Sequence, residues 1–236
     1  MTRARQRLIV ALDVPNVEEA RTLIDRLGDS VGVYKIGLEL LFAGGFSLAS
    51  ELASKGHAVF IDAKLLDIEA TVERATAAIA KMGAHFLTVH ALDCKTLDAA
   101  VRGRSGTKLK LLGVTVLTNL ARDDLKEQGI DRAPEELAVY RAMLAQEAGF
   151  EGVVASAQEA ATLRQALGPD VLIVTPGIRP KGIEAHDQAR TMTPAEAIAA
   201  GADYLVVGRP ITRAADPRAA AEAIAEEIAR ALPKPG

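Results

Sequence analysis

The stretch Asp62-Ala63-Lys64-Leu65-Leu66-Asp67-Ile68 places two carboxylates and an amine at the end of an apolar run. Side chains of a strand alternate between its faces, so Asp62 and Lys64 are expected to point the same way, with Asp67 just past the strand's end. Ionised groups are expensive to bury unless they are paired. A carboxylate and an ammonium held together at the C-terminal end of a strand are what proton-transfer chemistry requires.

The elements that must position these residues follow from periodicity. Apolar runs alternate with helix-period stretches, the pattern of βα units. Eight strands are expected: Arg7 to Val14, Val31 to Ile36, Ala58 to Lys64, Phe86 to His90, Lys110 to Leu117, Gly152 to Ala155, Val171 to Thr175 and Tyr204 to Val207. Helices are expected over Val17 to Leu27, Phe46 to Lys55, Ile68 to Met82, Thr96 to Arg102, Pro134 to Ala148, Gln158 to Leu167, Pro194 to Ala200 and Pro217 to Leu232. Asn16 and Thr193-Pro194 read as helix starts, and Gly28, Gly56, Gly83, Gly149, Gly168 and Gly201 as helix ends. Eight such units predict an α/β fold, a single-domain (β/α)8 TIM barrel spanning residues 1–236, with an open doubly wound sheet as the alternative. One segment departs from the pattern. The Pro-, Gly- and polar-rich residues 177–193 are long for a βα loop and are expected to form a lid over the barrel mouth.

Composition excludes several classes of function. With 236 residues, 49% of them hydrophobic, the chain can bury the core of one large domain. A net charge of -3, 3% aromatic residues and no Trp argue against a nucleic-acid partner. The single Cys94 admits no internal disulfide and suits a reducing compartment. The apolar run after the basic N-terminus is too short for a signal sequence, and no run approaches the ~20 residues of a membrane span. A soluble, cytoplasmic protein with no membrane partner is the expectation.

If the barrel closes, its strand ends bring Asp13, Lys35, Asp62, Lys64, Thr118 and Gly208-Arg209 to one mouth, with Asp67 beside it. Alternating acids and amines keep one another ionised. A single such pair would more simply be a structural ion pair. Four or five on the catalytic face of one barrel point to chemistry, because charges that serve stability belong on the opposite face.

Strands 7 and 8 of such barrels commonly supply a phosphate site. Gly208 allows close backbone approach and Arg209 offers a fork of donors, with Arg179 and Gln188 on the expected lid able to add more. His57 and His85 fall at strand starts, on the face away from the mouth. His90 ends strand 4, but no nucleophile accompanies it, and His186 reads as an exposed loop residue. No Cys/His ligand spacing is present, and Lys35 and Lys64 would repel a divalent cation, so neither a metal nor another cofactor is expected.

With these residues in place, the chain resembles the orotidine 5'-phosphate decarboxylases in their shorter bacterial form. The likeness is carried by Leu8-Ile9-Val10-Ala11-Leu12-Asp13, Tyr34-Lys35-Ile36-Gly37, Phe60 to Val72, Gly113 to Thr118, Thr175-Pro176-Gly177-Ile178-Arg179, Asp187 to Pro194 and Val207-Gly208-Arg209-Pro210-Ile211. The resemblance implies a metal-free enzyme converting orotidine 5'-phosphate to uridine 5'-phosphate. It implies Lys64 as proton donor, Asp62 beside the substrate carboxylate, and Lys35 and Asp67 completing the charged array. It further implies Asp13 and Lys35 at the ribose, Thr118 at the pyrimidine, and Gln188, Gly208, Arg209 and Arg179 at the phosphate. A homodimer is implied too, with Asp67 and Thr71 reaching the partner's site. Two other readings remain open. A Mg-dependent phosphosugar decarboxylase or aldolase would share the Asp62/Lys64/Asp67 spacing but need an acidic ligand where Lys35 stands. A catalytically silent phosphate-binding barrel would not need Lys64 at all.

Overall fold

The computed structural model describes residues 2–180 and 191–232. Eight strands form the barrel: β1 (Leu8–Ala11), β2 (Val33–Gly37), β3 (Ala58–Leu65), β4 (Phe86–His90), β5 (Lys110–Val114), β6 (Gly152–Val154), β7 (Leu172–Thr175) and β8 (Tyr204–Val207). Each pairs in parallel with the next, and β8 pairs with β1 through Leu8 and Leu205. The ring therefore closes, which excludes the open doubly wound sheet.

The helices are α1 (Arg3–Gln6), α2 (Val17–Leu27), α3 (Leu38–Leu40), α4 (Phe46–Ser54), α5 (Glu69–Lys81), α6 (Cys94–Gly103), α7 (Arg122–Glu127), α8 (Pro134–Glu147), α9 (Ala160–Leu167), α10 (Pro194–Ala199), α11 (Arg209–Thr212) and α12 (Pro217–Ala231). Their starts follow the capping chemistry of the sequence. Asn16, Asp93, Thr193 and Asp216 each accept a backbone N–H of the first turn, and Pro134, Pro194 and Pro217 occupy first helical positions.

Two apolar layers hold the barrel. Ile9, Ala11, Val33, Phe60, Phe86, Leu112, Val174 and Val206 fill its interior, where Phe86 meets Phe60 and Tyr204 edge to face at 5.8 and 5.3 Å. A larger cluster, including Leu8, Val10, Leu27, Ile36, Ile61, Leu87, Leu111, Ile173, Leu205 and Ile228, seals the helices against the strands' outer faces. Each such side chain, fully buried, contributes roughly 1.5–3 kcal/mol.

The structure corrects several expected boundaries. β1 stops at Ala11 and β5 at Val114, short of Val14 and Leu117. The apolar residues beyond Val114 serve another purpose, since Val116 packs on Leu125, Leu137 and Ala138 in a satellite core. Short α1, α7 and α11 escape a periodicity search because four to six residues complete too few turns to display one. Between β2 and α4, where no element is expected, α3 runs into a π-helical turn over Leu41–Gly45, with Gly44 at φ 93°. Among the described residues, no helix is long and apolar enough to cross a membrane.

Candidate active site

Inward-facing positions are set by alternation. Ala11 on β1, Val33 on β2, Phe60 on β3 and Phe86 on β4 belong to the interior layer, so Asp13, Lys35, Asp62 and Thr88, two residues further on, stand one level nearer the C-terminal mouth. Three of them join Lys64 in one chain of charges. The Lys35 Nζ lies 3.1 Å from Asp13 Oδ1 and 3.3 Å from Asp62 Oδ2, and the Lys64 Nζ lies 2.8 Å from Asp62 Oδ1.

Signs alternate along Asp13, Lys35, Asp62 and Lys64, and the electrostatics follow. Burial alone would push the Lys35 ammonium down, but Asp62 and Asp13 outweigh it and hold its pKa above the ordinary lysine value. Burial would likewise raise Asp62, yet Lys35 and Lys64, with the Lys64 and Thr88 hydrogen bonds, hold it below the ordinary carboxylate value. Both are therefore ionised at neutral pH.

Lys64 reaches Asp62 by a route that simple alternation does not foresee. The β3–β4 ladder pairs Ile61 with Leu87 and next Leu65 with Val89, so Asp62, Ala63 and Lys64 stand opposite Thr88 alone. This bulge is accompanied by φ 48° at Lys64, the one non-glycine residue with positive φ among those described. A lysine in that region stores strain, and such strain concentrates at functional sites. Both side chains do face the mouth, but through a bulge rather than a regular pleat.

Gly37 makes room for this array. A Cβ there would lie 2.9 Å from Lys35 Nζ and 3.1 Å from Asp13 Oδ1, so only glycine leaves that pair undisturbed. Neither Thr88 nor Gly37 is singled out as a site residue by the sequence. Inward alternation with Phe86 and His90 is the signal that would have found Thr88.

The array borders a cavity of about 430 Å³ at the mouth, within the ~300–1,000 Å³ of small-molecule sites. Ala11, Phe60, Val114, Val154 and Val206 give it an apolar floor, and Val116, Leu117 and Thr118 continue the wall above β5. Arg141 of α8, almost wholly buried, fixes this wall by donating from Nη1 to the Thr115 carbonyl at 2.7 Å. Across the ring from β3, where β7 and β8 end, Gly177, Arg179, Gly208 and Arg209 complete the lining. The cavity is thus charged on one side, apolar below and cationic on the other.

Arg179 is buried, and its backbone N–H donates to the Met192 carbonyl at 2.9 Å beside an Ile178–Met192 bridge, so both ends of the expected lid meet at the mouth. Gln188 and His186 lie outside the described residues. His90 is half-buried above Thr88, and burial, then Lys64 and Arg141, push its pKa down, which leaves it neutral at neutral pH. His57 and His85 pack edge to face on Tyr34 and Phe86 at the strand starts, as their positions suggest.

Asp67 and Thr71 do not join the array within one chain. Asp67 is exposed, its Oδ1 accepting the Ile68 N–H at 2.6 Å, and neither residue lines the cavity. Asp67 instead borders a shallow surface depression with Leu66, Ile68, Asp93 and Thr96.

A divalent metal does not fit this donor set. Both oxygens of Asp62 face ammonium groups, and among the described residues no three His, Cys, Asp or Glu side chains are grouped to hold one.

Fold and site together define a (β/α)8-barrel protein with a charged, arginine-lined cavity on its C-terminal face. The chain belongs to the orotidine 5'-phosphate decarboxylase / HUMPS family, whose profile matches residues 6–224. It is 56% identical over 228 residues to the orotidine 5'-phosphate decarboxylase of Afipia carboxidovorans, covering 97% of each chain. The enzyme of that name from Methylobacterium nodulans is 54% identical over 230 residues, 96% of this chain and 97% of the relative. The crystal structure of orotidine 5'-phosphate decarboxylase from Lactobacillus acidophilus superposes with a TM-score of 0.84 at 38% identity, covering 94% of this chain and 98% of that one.

Proposed function

We propose that the protein is a cytoplasmic, metal-free orotidine 5'-phosphate decarboxylase, with a lid over residues 177–193 of its single domain. The observation that carries the reading is the Lys64 ammonium held 2.8 Å from Asp62 at the cavity wall. Close relatives bear this enzyme's name, and the buried Lys35, paired with Asp13 and Asp62, puts a cation where the metal-dependent alternative calls for an acidic ligand.

Breaking the bond between C6 and the carboxylate releases CO2 and leaves the electron pair on C6, where no adjacent π-acceptor can spread it. The Lys64 ammonium offsets that charge and passes a proton to C6, ending as a neutral amine that solvent reprotonates. Because the cation is fixed before the reaction, little reorganisation is required in the transition state. Asp62 holds Lys64 in place and faces the substrate carboxylate, while Asp13 and Lys35 take the ribose hydroxyls and Thr118 the pyrimidine edge.

Arg209, Arg179, the Gly208 backbone and Gln188 take the phosphate. Gripping that remote group draws binding energy into closing the lid and ordering the array, which raises the chemical rate and not merely affinity.

The enzyme works as a homodimer in which Asp67 and Thr71 complete the partner's site. Exposed Leu66 and Ile68, at 50% and 72% of their full accessibility, flank Asp67 and offer apolar surface to a second copy.

The test is loss of the orotate absorbance when orotidine 5'-phosphate is added with EDTA present. Turnover that survives chelation is expected. Turnover abolished by EDTA and restored by Mg would contradict the metal-free reading, and no turnover with either would reject the decarboxylase and leave the phosphosugar enzyme and the silent phosphate-binding barrel.

A further inference from the structure

We propose that Thr88 is a positioning residue for decarboxylation, its hydroxyl fixing the β3 bulge that carries Asp62 and Lys64. The inference rests on the decarboxylase reading above and deepens it.

Thr88 is fully buried, and its single oxygen serves both ends of the irregular segment. The Oγ1 accepts the Lys64 backbone N–H at 2.9 Å and donates to Asp62 Oδ1 at 2.9 Å. A register in which three residues of β3 face one of β4 leaves the bulge without regular ladder partners, and Thr88 is that facing residue. Its hydroxyl occupies the place of a missing backbone carbonyl for Lys64 and of a third donor for Asp62. One side chain thereby stabilises the positive φ of Lys64 and the direction of the carboxylate that orients the Lys64 ammonium. Thr88 does not line the cavity, so it acts through its neighbours and not on the substrate.

Two variants separate this role from general packing. Thr88→Val keeps the shape and removes the hydroxyl, whereas Thr88→Ser keeps the hydroxyl and removes the methyl. Wild-type turnover of orotidine 5'-phosphate is measured first, since its absence sinks the enzyme assignment and leaves Thr88 without a reaction to serve. Given wild-type turnover, Thr88→Val is expected to lose about 10- to 100-fold in kcat, the range for a lost hydrogen bond to a charged group. Uridine 5'-phosphate should still bind within about threefold of wild type, and Thr88→Ser should keep kcat within about threefold. The proposal is overturned if Thr88→Val matches wild-type kcat, if Thr88→Ser falls as far as Thr88→Val, or if nucleotide affinity drops in step with kcat.

Discussion

Replacing Asp62 by Asn removes the one anion shared by both lysines. Asp62 Oδ1 accepts from Lys64 Nζ at 2.8 Å and from Thr88 Oγ1 at 2.9 Å, while Oδ2 lies 3.3 Å from Lys35 Nζ. Breaking a buried pair by removing one partner costs ~3–5 kcal/mol. The lower end applies here, because Lys35 keeps Asp13 and the Lys64 side chain is 29% exposed. A loss of about 3 kcal/mol corresponds to a Tm lower by roughly 6–12 °C in a protein of this size. The loss should depend on pH in a definite direction. Asp62 has its pKa depressed below 3.8 in the folded protein, so its contribution is complete above the unfolded value and disappears as pH falls through the folded one. Thermal melts followed by circular dichroism from neutrality to below about pH 4 should show the gap between wild type and Asp62→Asn closing toward acid. A gap that stays constant with pH, or a more stable Asp62→Asn protein at neutrality, would refute the claim that Asp62 is an ionised partner of both lysines.

Three further outcomes follow from the same geometry. Gly37→Ala should lower kcat by about tenfold or more while shifting Tm little, because the added Cβ, at 2.9 Å, displaces the flexible end of Lys35 and not the backbone; steady-state kinetics beside thermal melts decide it, and a large Tm loss with normal kcat would contradict it. Arg209→Ala should weaken uridine 5'-phosphate by about 2 kcal/mol or more and uridine hardly at all, read by calorimetric titration; equal losses for both would remove Arg209 from the phosphate site. Lys64→Ala and Asp67→Ala proteins, each inactive, should on mixing and re-equilibration recover about a quarter of wild-type activity, since half the dimers are mixed and each of those holds one intact site; no recovery would mean that each site is built from one chain.

The barrel was legible in the sequence because its signals are local. Strand runs such as Phe86–His90 and Tyr204–Val207, and α2 from Asn16 to Gly28, are bounded as the apolar periods and capping residues indicate. Asp13, Lys35, Asp62 and Lys64 are readable as one group because each falls toward the C-terminal end of an expected strand, and a closed ring brings those ends together. What remained illegible depends on pairing between strands. The bulge at Asp62–Lys64 exists only in the register of β3 against β4, so neither the positive φ of Lys64 nor the double role of Thr88 is written in either strand alone. The need for glycine at position 37 arises the same way, from side chains of β2 and the end of β1 that meet only in the closed barrel. Val116 and Leu117 read as strand in the sequence but lie beyond β5, because apolar residues that wall a cavity look like those that fill a sheet.

The proposed chemistry turns on the ammonium of Lys64, and its most direct test is the rate of orotidine 5'-phosphate decarboxylation by Lys64→Ala, with uridine 5'-phosphate affinity measured in the same protein. Loss of a preorganised charge of this kind predicts a fall of at least ~100- to 1,000-fold in kcat with nucleotide binding retained. A Lys64→Ala enzyme that binds nucleotide and turns over within about tenfold of wild type would show that the proton and the stabilising charge come from elsewhere.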